Sequence, residues 1–134
     1  IVGPRTAGAL LSGRIAAQHE DGLTEVAVSG GSLFLPETLG APGDPLRVRI
    51  EAQDIMLALT RPERVSALNI LPAEVTHLHT GQGPGVMVQL RAGDDLLLAR
   101  ITRRSAEALA LAPGTACFAV LKSVAVARGA VGRG

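Results

Sequence analysis

The sequence predicts an all-β protein built from two small β-barrels in tandem. Three observations carry this: apolar and polar residues alternate with period 2 over short stretches, 16 glycines and 8 prolines punctuate them, and the pattern of the first half returns in the second. Successive side chains of a strand point to opposite faces, so period 2 marks a sheet with one face buried. Many short strands separated by Gly-rich turns favour closure into a barrel, which removes unpaired edges.

In the first half a strand from Gly13-Arg14-Ile15 leads to a polar turn at His19-Glu20-Asp21-Gly22. An alternating strand, Thr24 to Val28, a Gly30-Gly31 turn and a strand ending at Leu35 follow. The second half repeats the order. It starts at Glu74-Val75, turns through Thr80 to Gly85, alternates from Val86 to Leu90, turns at Gly93-Asp94 and runs from Leu96 to Ile101. Each half closes with a Pro/Gly loop and a last strand, Leu46 to Ile55 and Cys117 to Val126. About five strands per half suit an OB-like barrel. The single helical candidate is Ser105 to Leu111, with Ser105 as N-cap, Glu107 complementing the dipole and Pro113-Gly114 as the stop. Thr60-Arg61-Pro62-Glu63-Arg64 is charged and broken by proline. The expected division is therefore a first barrel at 1–60, a linker at 61–65, a second barrel at 66–128 and a flexible tail at 129–134.

Composition excludes several functions. Lys and Arg number 13 against 12 acids, and Phe34 and Phe118 are the only aromatics besides histidine. Nucleic-acid binding lacks both its positive field and its stacking platform. Cys117 lies in the apolar run Ala116 to Leu121 and reads as a buried core thiol, with no second cysteine to pair with. No apolar run has the length of a membrane span and no signal pattern precedes the first strand. The chain starts at Ile1 rather than methionine, so it is expected to be a piece of a longer protein.

Catalytic constellations are missing too. There is no Gly-x-x-x-x-Gly-Lys-Ser/Thr phosphate loop, and Gly81 to Gly85 reads as a hairpin turn. His19, His77 and His79 have no Cys or carboxylate at ligand spacing, so no metal site is expected. No paired carboxylates or Ser/His/Asp set can be named, and this chain is not expected to be an enzyme. What remains is a set of small polar residues near strand ends: Ser66 and Asn69, Thr102 and Ser105, Lys122 and Ser123. Each has a local reading as turn former, cap, strand-end hydroxyl or solvated lysine. Together they have another, because a tetrahedral dianion needs a compact positive charge, several hydroxyl or amide donors and the open N–H groups of a helix start.

Three segments then carry a resemblance. Ser66-Ala67-Leu68-Asn69-Ile70-Leu71, Ala99-Arg100-Ile101-Thr102-Arg103-Arg104-Ser105 and Ala119-Val120-Leu121-Lys122-Ser123 resemble, in order and spacing, the signature segments of the molybdate-binding Mop domain. The first half resembles the TOBE barrel that precedes Mop in the ATPase subunit of molybdenum importers, most of all at Asp54-Ile55 and Leu59 to Glu63. The resemblance implies OB-like barrels binding molybdate or tungstate at subunit interfaces, with ligands at Ser66, Asn69, Thr102, Ser105, Lys122 and Ser123. It implies a homodimer, a preceding N-terminal ATPase domain that hydrolyses ATP, membrane permease partners, and a place at the cytoplasmic face of the bacterial inner membrane. Leu68 departs from the pattern: many members have Arg there, and its loss removes a charge and a forked donor. Aligning the last strands sets Glu51 opposite Lys122. A carboxylate there would repel a dianion, so the first barrel is expected to be structural and the second to bind. The competing expectations are a dimerisation module without ligand and a free-standing molybdate storage protein.

Overall fold

The computed structural model describes residues 8–127, so the expected tail at 129–134 lies outside the described residues. The chain runs β1 (Gly8–Gln18), β2 (Thr24–Val28), β3 (Gly31–Leu35), β4 (Pro45–Glu51), a 3-10 turn (Ala52–Asp54) and β5 (Ile55–Ala58). It continues through β6 (Asn69–Thr80), β7 (Gly85–Ala92), β8 (Asp95–Thr102), the helix α1 (Arg103–Ala108), β9 (Ala116–Leu121) and β10 (Ala125–Val126). The fold is all-β, as the alternation predicts. In β4, for example, Leu46, Val48 and Ile50 are buried while Pro45, Arg47 and Arg49 are exposed.

The strands form two five-stranded antiparallel sheets, ordered β10-β4-β1-β2-β3 and β5-β9-β6-β7-β8. Both curl, and β8 comes back beside β5 and the 3-10 turn. Membership crosses the chain's midpoint. β5, from the first half, pairs with β9, whereas β10, from the very end of the second, pairs with β4. The two sheets thus do not follow the division at 61–65, because each takes its edge strand from the other half.

The internal repeat is real in register. A bulge lies between Ile15 and Ala17 of β1 and another between Val75 and His77 of β6, while Leu11 faces Val48 as Leu71 faces Ala119. The same register sets Glu51 in the place of Lys122. Two expected strands are broken, however. Leu46 to Ile55 is interrupted by the 3-10 turn and Cys117 to Val126 by Lys122 to Val124. At both breaks the chain leaves one sheet for the other. In the first, buried Ala52 continues the alternation of Leu46, Val48 and Ile50 and so conceals the break in the sequence.

The halves also meet through their turns. The Asp94 N–H donates to Ser29 Oγ at 2.8 Å, linking the β7–β8 turn to the β2–β3 turn. Gly93 has φ +62, and a Cβ on it would lie 2.6 Å from Ser29 atoms; a Cβ on Gly30 would meet Ala92 at 3.0 Å. Glycine is required at this crossing both for conformation and for space. Asn69, first residue of β6, adds a clamp: its Oδ1 accepts the Phe34 N–H at 2.6 Å and its Nδ2 donates to the Phe34 carbonyl at 3.1 Å. Buried side chains from both sheets, among them Leu11, Val48, Leu71 and Leu97, make one continuous apolar cluster. The linker is held down by Arg61, whose guanidinium lies 5.9 Å from the Phe118 ring centroid.

Candidate oxyanion-binding site

β8 delivers Thr102 to the start of α1 in an extended conformation, φ −83° and ψ 154°. Its Oγ1 accepts the Ser105 N–H at 3.0 Å and donates to Ser105 Oγ at 3.0 Å. Thr102 is therefore the N-cap, and the expectation that Ser105 caps the helix is corrected. The Thr-x-x-Ser spacing lets the earlier hydroxyl reach the N–H three residues on, and so starts the helix at Arg103. The helix is also shorter than expected. Ala110 takes φ +53°, and the Leu111 and Ala110 N–H groups close back on Ala106 and Glu107, a left-handed stop that needs no proline. No acid lies in the first turn, so Glu107 does not complement the helix start; Arg103 and Arg104 stand there instead.

Thr102 and Ser105 line a groove of about 500 Å³ with Arg100, Ile101, Ala108 and Leu109 on one side and Gln53, Ile55, Met56 and Leu57 on the other. Arg100 and Thr102 share the outward face of β8. Neither Arg100 nor Gln53 was singled out from the sequence. The period-2 pattern could have found Arg100, two residues from Thr102. Gln53 arrives only because the chain crosses into the second sheet at β5, and no local signal announces that. Arg103 is turned away. Its guanidinium donates to the carbonyls of Gly81 at 2.6 Å and Gly83 at 2.8 Å, pinning the β6–β7 turn.

The other expected residues gather at the ends of β6 and β9. Asn69 pairs with Leu121 in the ladder, which brings the segment after Ser66 alongside Lys122 and Ser123. Ser66, Lys122 and Ser123 are exposed, and none of them lines the groove. The Lys122 N–H donates to the Asp54 carbonyl at 2.7 Å, fixing the end of β9 beside the two groove residues that flank Asp54. Asn69 is already engaged with Phe34 and keeps one amide hydrogen to offer. Glu51 accepts from Gln53 Nε2 at 3.3 Å, so its carboxylate sits near this groove and not only in the first sheet.

The His77 and His79 rings stack at 6.0 Å, and no group of three or more His, Cys, Asp or Glu among the described residues is placed to hold a metal ion. Cys117 is buried, and loss of hydration pushes its thiol pKa up, which suits a core position and not a nucleophile. Among the described residues no helix is long and apolar enough to cross a membrane.

Known proteins similar to this chain share one theme. The TOBE domain model matches residues 65–127. That match covers just under half of the chain. The match falls on the half that the signature segments likened to Mop. Over almost the whole chain the sequence is similar to molybdenum import ATP-binding proteins ModC. It is 42% identical to that of Rhizobium johnstonii over 91% of this chain and 35% of the relative, and 46% identical to that of Albidiferax ferrireducens over 90% and 33%. The chain thus spans about a third of the length of these relatives. Among solved structures it is similar to the cytoplasmic molybdate-binding protein ModG in a form with molybdate bound, with TM-score 0.78 and 24% identity over 91% of this chain and 98% of that one. At that identity the likeness establishes the fold. The TOBE match covers β6 to β10 and leaves out β5, although β5 is an edge strand of the sheet that holds the groove.

Proposed function

We propose that this chain is the regulatory oxyanion-binding and dimerisation module of the ATPase subunit of a molybdenum ABC importer. Its ligand is molybdate or tungstate, held by Ser66, Asn69, Thr102, Ser105, Lys122 and Ser123. The observation that carries this reading is the Thr102–Ser105 hydroxyl pair at a helix start inside a groove that also holds Arg100. Hydroxyl donors beside a guanidinium are the chemistry that a tetrahedral dianion requires. The similarity to molybdenum import ATP-binding proteins supports the ion, and in this reading the module is cytoplasmic, lies beside the inner membrane, follows an ATPase domain and works with permease subunits.

Ser66, Asn69, Lys122 and Ser123 lie outside the groove, so a second copy of the chain completes the shell. Met56, on the edge strand β5, is 56% exposed and Leu68 is 58% exposed, which leaves apolar surface beside both groups of ligands for that copy to cover. Leu68 also supports the rival reading, a dimer with no ligand. The likeness to nearly all of ModG supports a storage protein, and a phosphate loop encoded upstream of Ile1 would exclude that.

The test is a thermal melt with molybdate, tungstate or sulfate at matched ionic strength. Binding to the folded state alone stabilises it by about 2.7 kcal/mol when ligand is at a hundred times its dissociation constant. Molybdate or tungstate should raise the melting temperature, sulfate much less, and Lys122→Ala should abolish the difference while barely changing the ligand-free melt. Equal shifts with sulfate would reduce the effect to generic ionic stabilisation.

A further inference from the structure

The outer face of the first sheet holds a cleft that the oxyanion groove does not use. It measures about 450 Å³ and is lined by Ser12, Gly13 and Arg14 of β1, Ala27, Val28 and Ser29 at the end of β2, and Pro45, Leu46 and Arg47 of β4. Register explains why these residues meet: Ser12 stands opposite Arg47, and Arg14 stands between Pro45 and Ala27. Ala27, with a single methyl on the outer face, keeps the floor low, and Gly13 lets the strands close up beneath it on the core side. A Cβ on Gly13 would lie 2.7 Å from Val26 Cγ1 and 2.8 Å from the Ala27 carbonyl, so the strands approach here as only glycine permits.

The charged side chains that line the cleft are both basic. Its lining contains two guanidiniums and no carboxylate, and Arg49 continues the same exposed face of β4. Arg14 spends one donor on the Gly43 carbonyl at 3.0 Å, and Arg47 has no side-chain hydrogen bond or ion pair among the described residues. The nearest acid along the chain, Asp44, is turned into its own loop, where Oδ2 accepts the Ala41 N–H at 3.0 Å. The hydroxyls of Ser12 and Ser29 complete the donor set; Ser29 Oγ accepts from Asp94, which leaves its hydrogen to donate outward. Two forked cations with unspent donors are matched by an oxyanion presenting several oxygens at once. The cleft is of a size that suits a small organic ligand.

We propose that this cleft is a second anion site, independent of the molybdate site, which takes the phosphate groups of a small phosphorylated ligand between Arg14 and Arg47. Pyrophosphate and inorganic phosphate are the probes. In amide-resolved NMR of the 134-residue chain, pyrophosphate should give saturable shifts at Gly13, Ala27, Ser29 and Arg47, with orthophosphate following the same path more weakly. Arg47→Gln should weaken binding at least tenfold with an unchanged melt, because its side chain is exposed and unbonded, and Arg14→Gln,Arg47→Gln should abolish it with at most a small fall in melt from the lost bond to Gly43. Lys122→Ala should leave it intact, so its outcome is separable from that of the molybdate reading. The proposal is overturned if sodium chloride at equal ionic strength reproduces the shifts, if they do not saturate, or if the double variant retains them.

Discussion

The Asn69 clamp gives the sharpest test of how the two sheets are held together. β3 is the outer strand of the first sheet, and Asn69 supplies a partner to both main-chain groups of Phe34 that the sheet leaves unpaired. Asn69→Ala removes both hydrogen bonds, each worth about 1 kcal/mol net, and strands two polar groups in a half-buried place at a further cost of the same order. The expected loss is about 2–4 kcal/mol. For a chain of this size that is a fall in melting temperature of roughly 6–15 °C, or a lower urea midpoint at unchanged slope. Asn69→Asp sharpens the test. Its carboxylate still accepts from the Phe34 N–H but faces the Phe34 carbonyl, so the protonated form, which can donate, is the one that folding favours. The folded-state pKa of this aspartate is then raised, and its stability should recover as pH falls through that value. A loss under 0.5 kcal/mol for Asn69→Ala would refute the clamp. So would a variant that keeps its ligand-free melt and loses only the molybdate shift, which would make Asn69 purely a ligand.

Gly93→Ala should destabilise by more than 1 kcal/mol in a urea titration, since it meets both a positive φ and the Ser29 contact; Gly22→Ala, with open space around it, should suffer the backbone cost alone. Ala110→Gly should raise stability by about 1 kcal/mol by relieving the left-handed stop of α1, and no gain would mean that the strain is absorbed elsewhere. Cys117 should resist iodoacetamide until the chain is unfolded, and because burial raises its folded pKa, stability should decline as pH rises above about 8.5 in wild type and less in Cys117→Ala. Glu51→Gln should tighten molybdate binding, measured by titration calorimetry at low salt, because it removes a carboxylate bonded to a groove residue; weaker binding would place Glu51 among the groups that hold the groove's shape.

Strand positions were legible in the sequence wherever one face is buried, as in β4, where Leu46, Val48 and Ile50 alternate with exposed neighbours. The turns at Gly30-Gly31 and Gly93-Asp94 were legible because glycine marks them, although the reason for glycine, contact with the other half's turn, was not. The exchange of β5 and β10 left no trace. A period-2 pattern says which face is buried and nothing about which sheet the strand joins. For the site, Thr102 and Ser105 could be linked because a cap acts over three residues. The partner of Asn69 lies 35 residues away, and only the folded chain shows that its amide is engaged there.

The exchanged strands fix the order in which the molecule can be completed as it is made. β4 leaves the ribosome early, but the residues that cover its open edge, Ala125 and Val126, are nearly the last of the described chain to emerge. Until then the first sheet has an exposed flank, although every strand of the second, β5 to β9, has already been made. The first sheet cannot be completed until the whole of the second has been made, so the chain should complete late, at the slow pace of folds dominated by distant pairings. During that interval the bare edge of β4 is the place where a nascent copy would most readily capture the wrong strand.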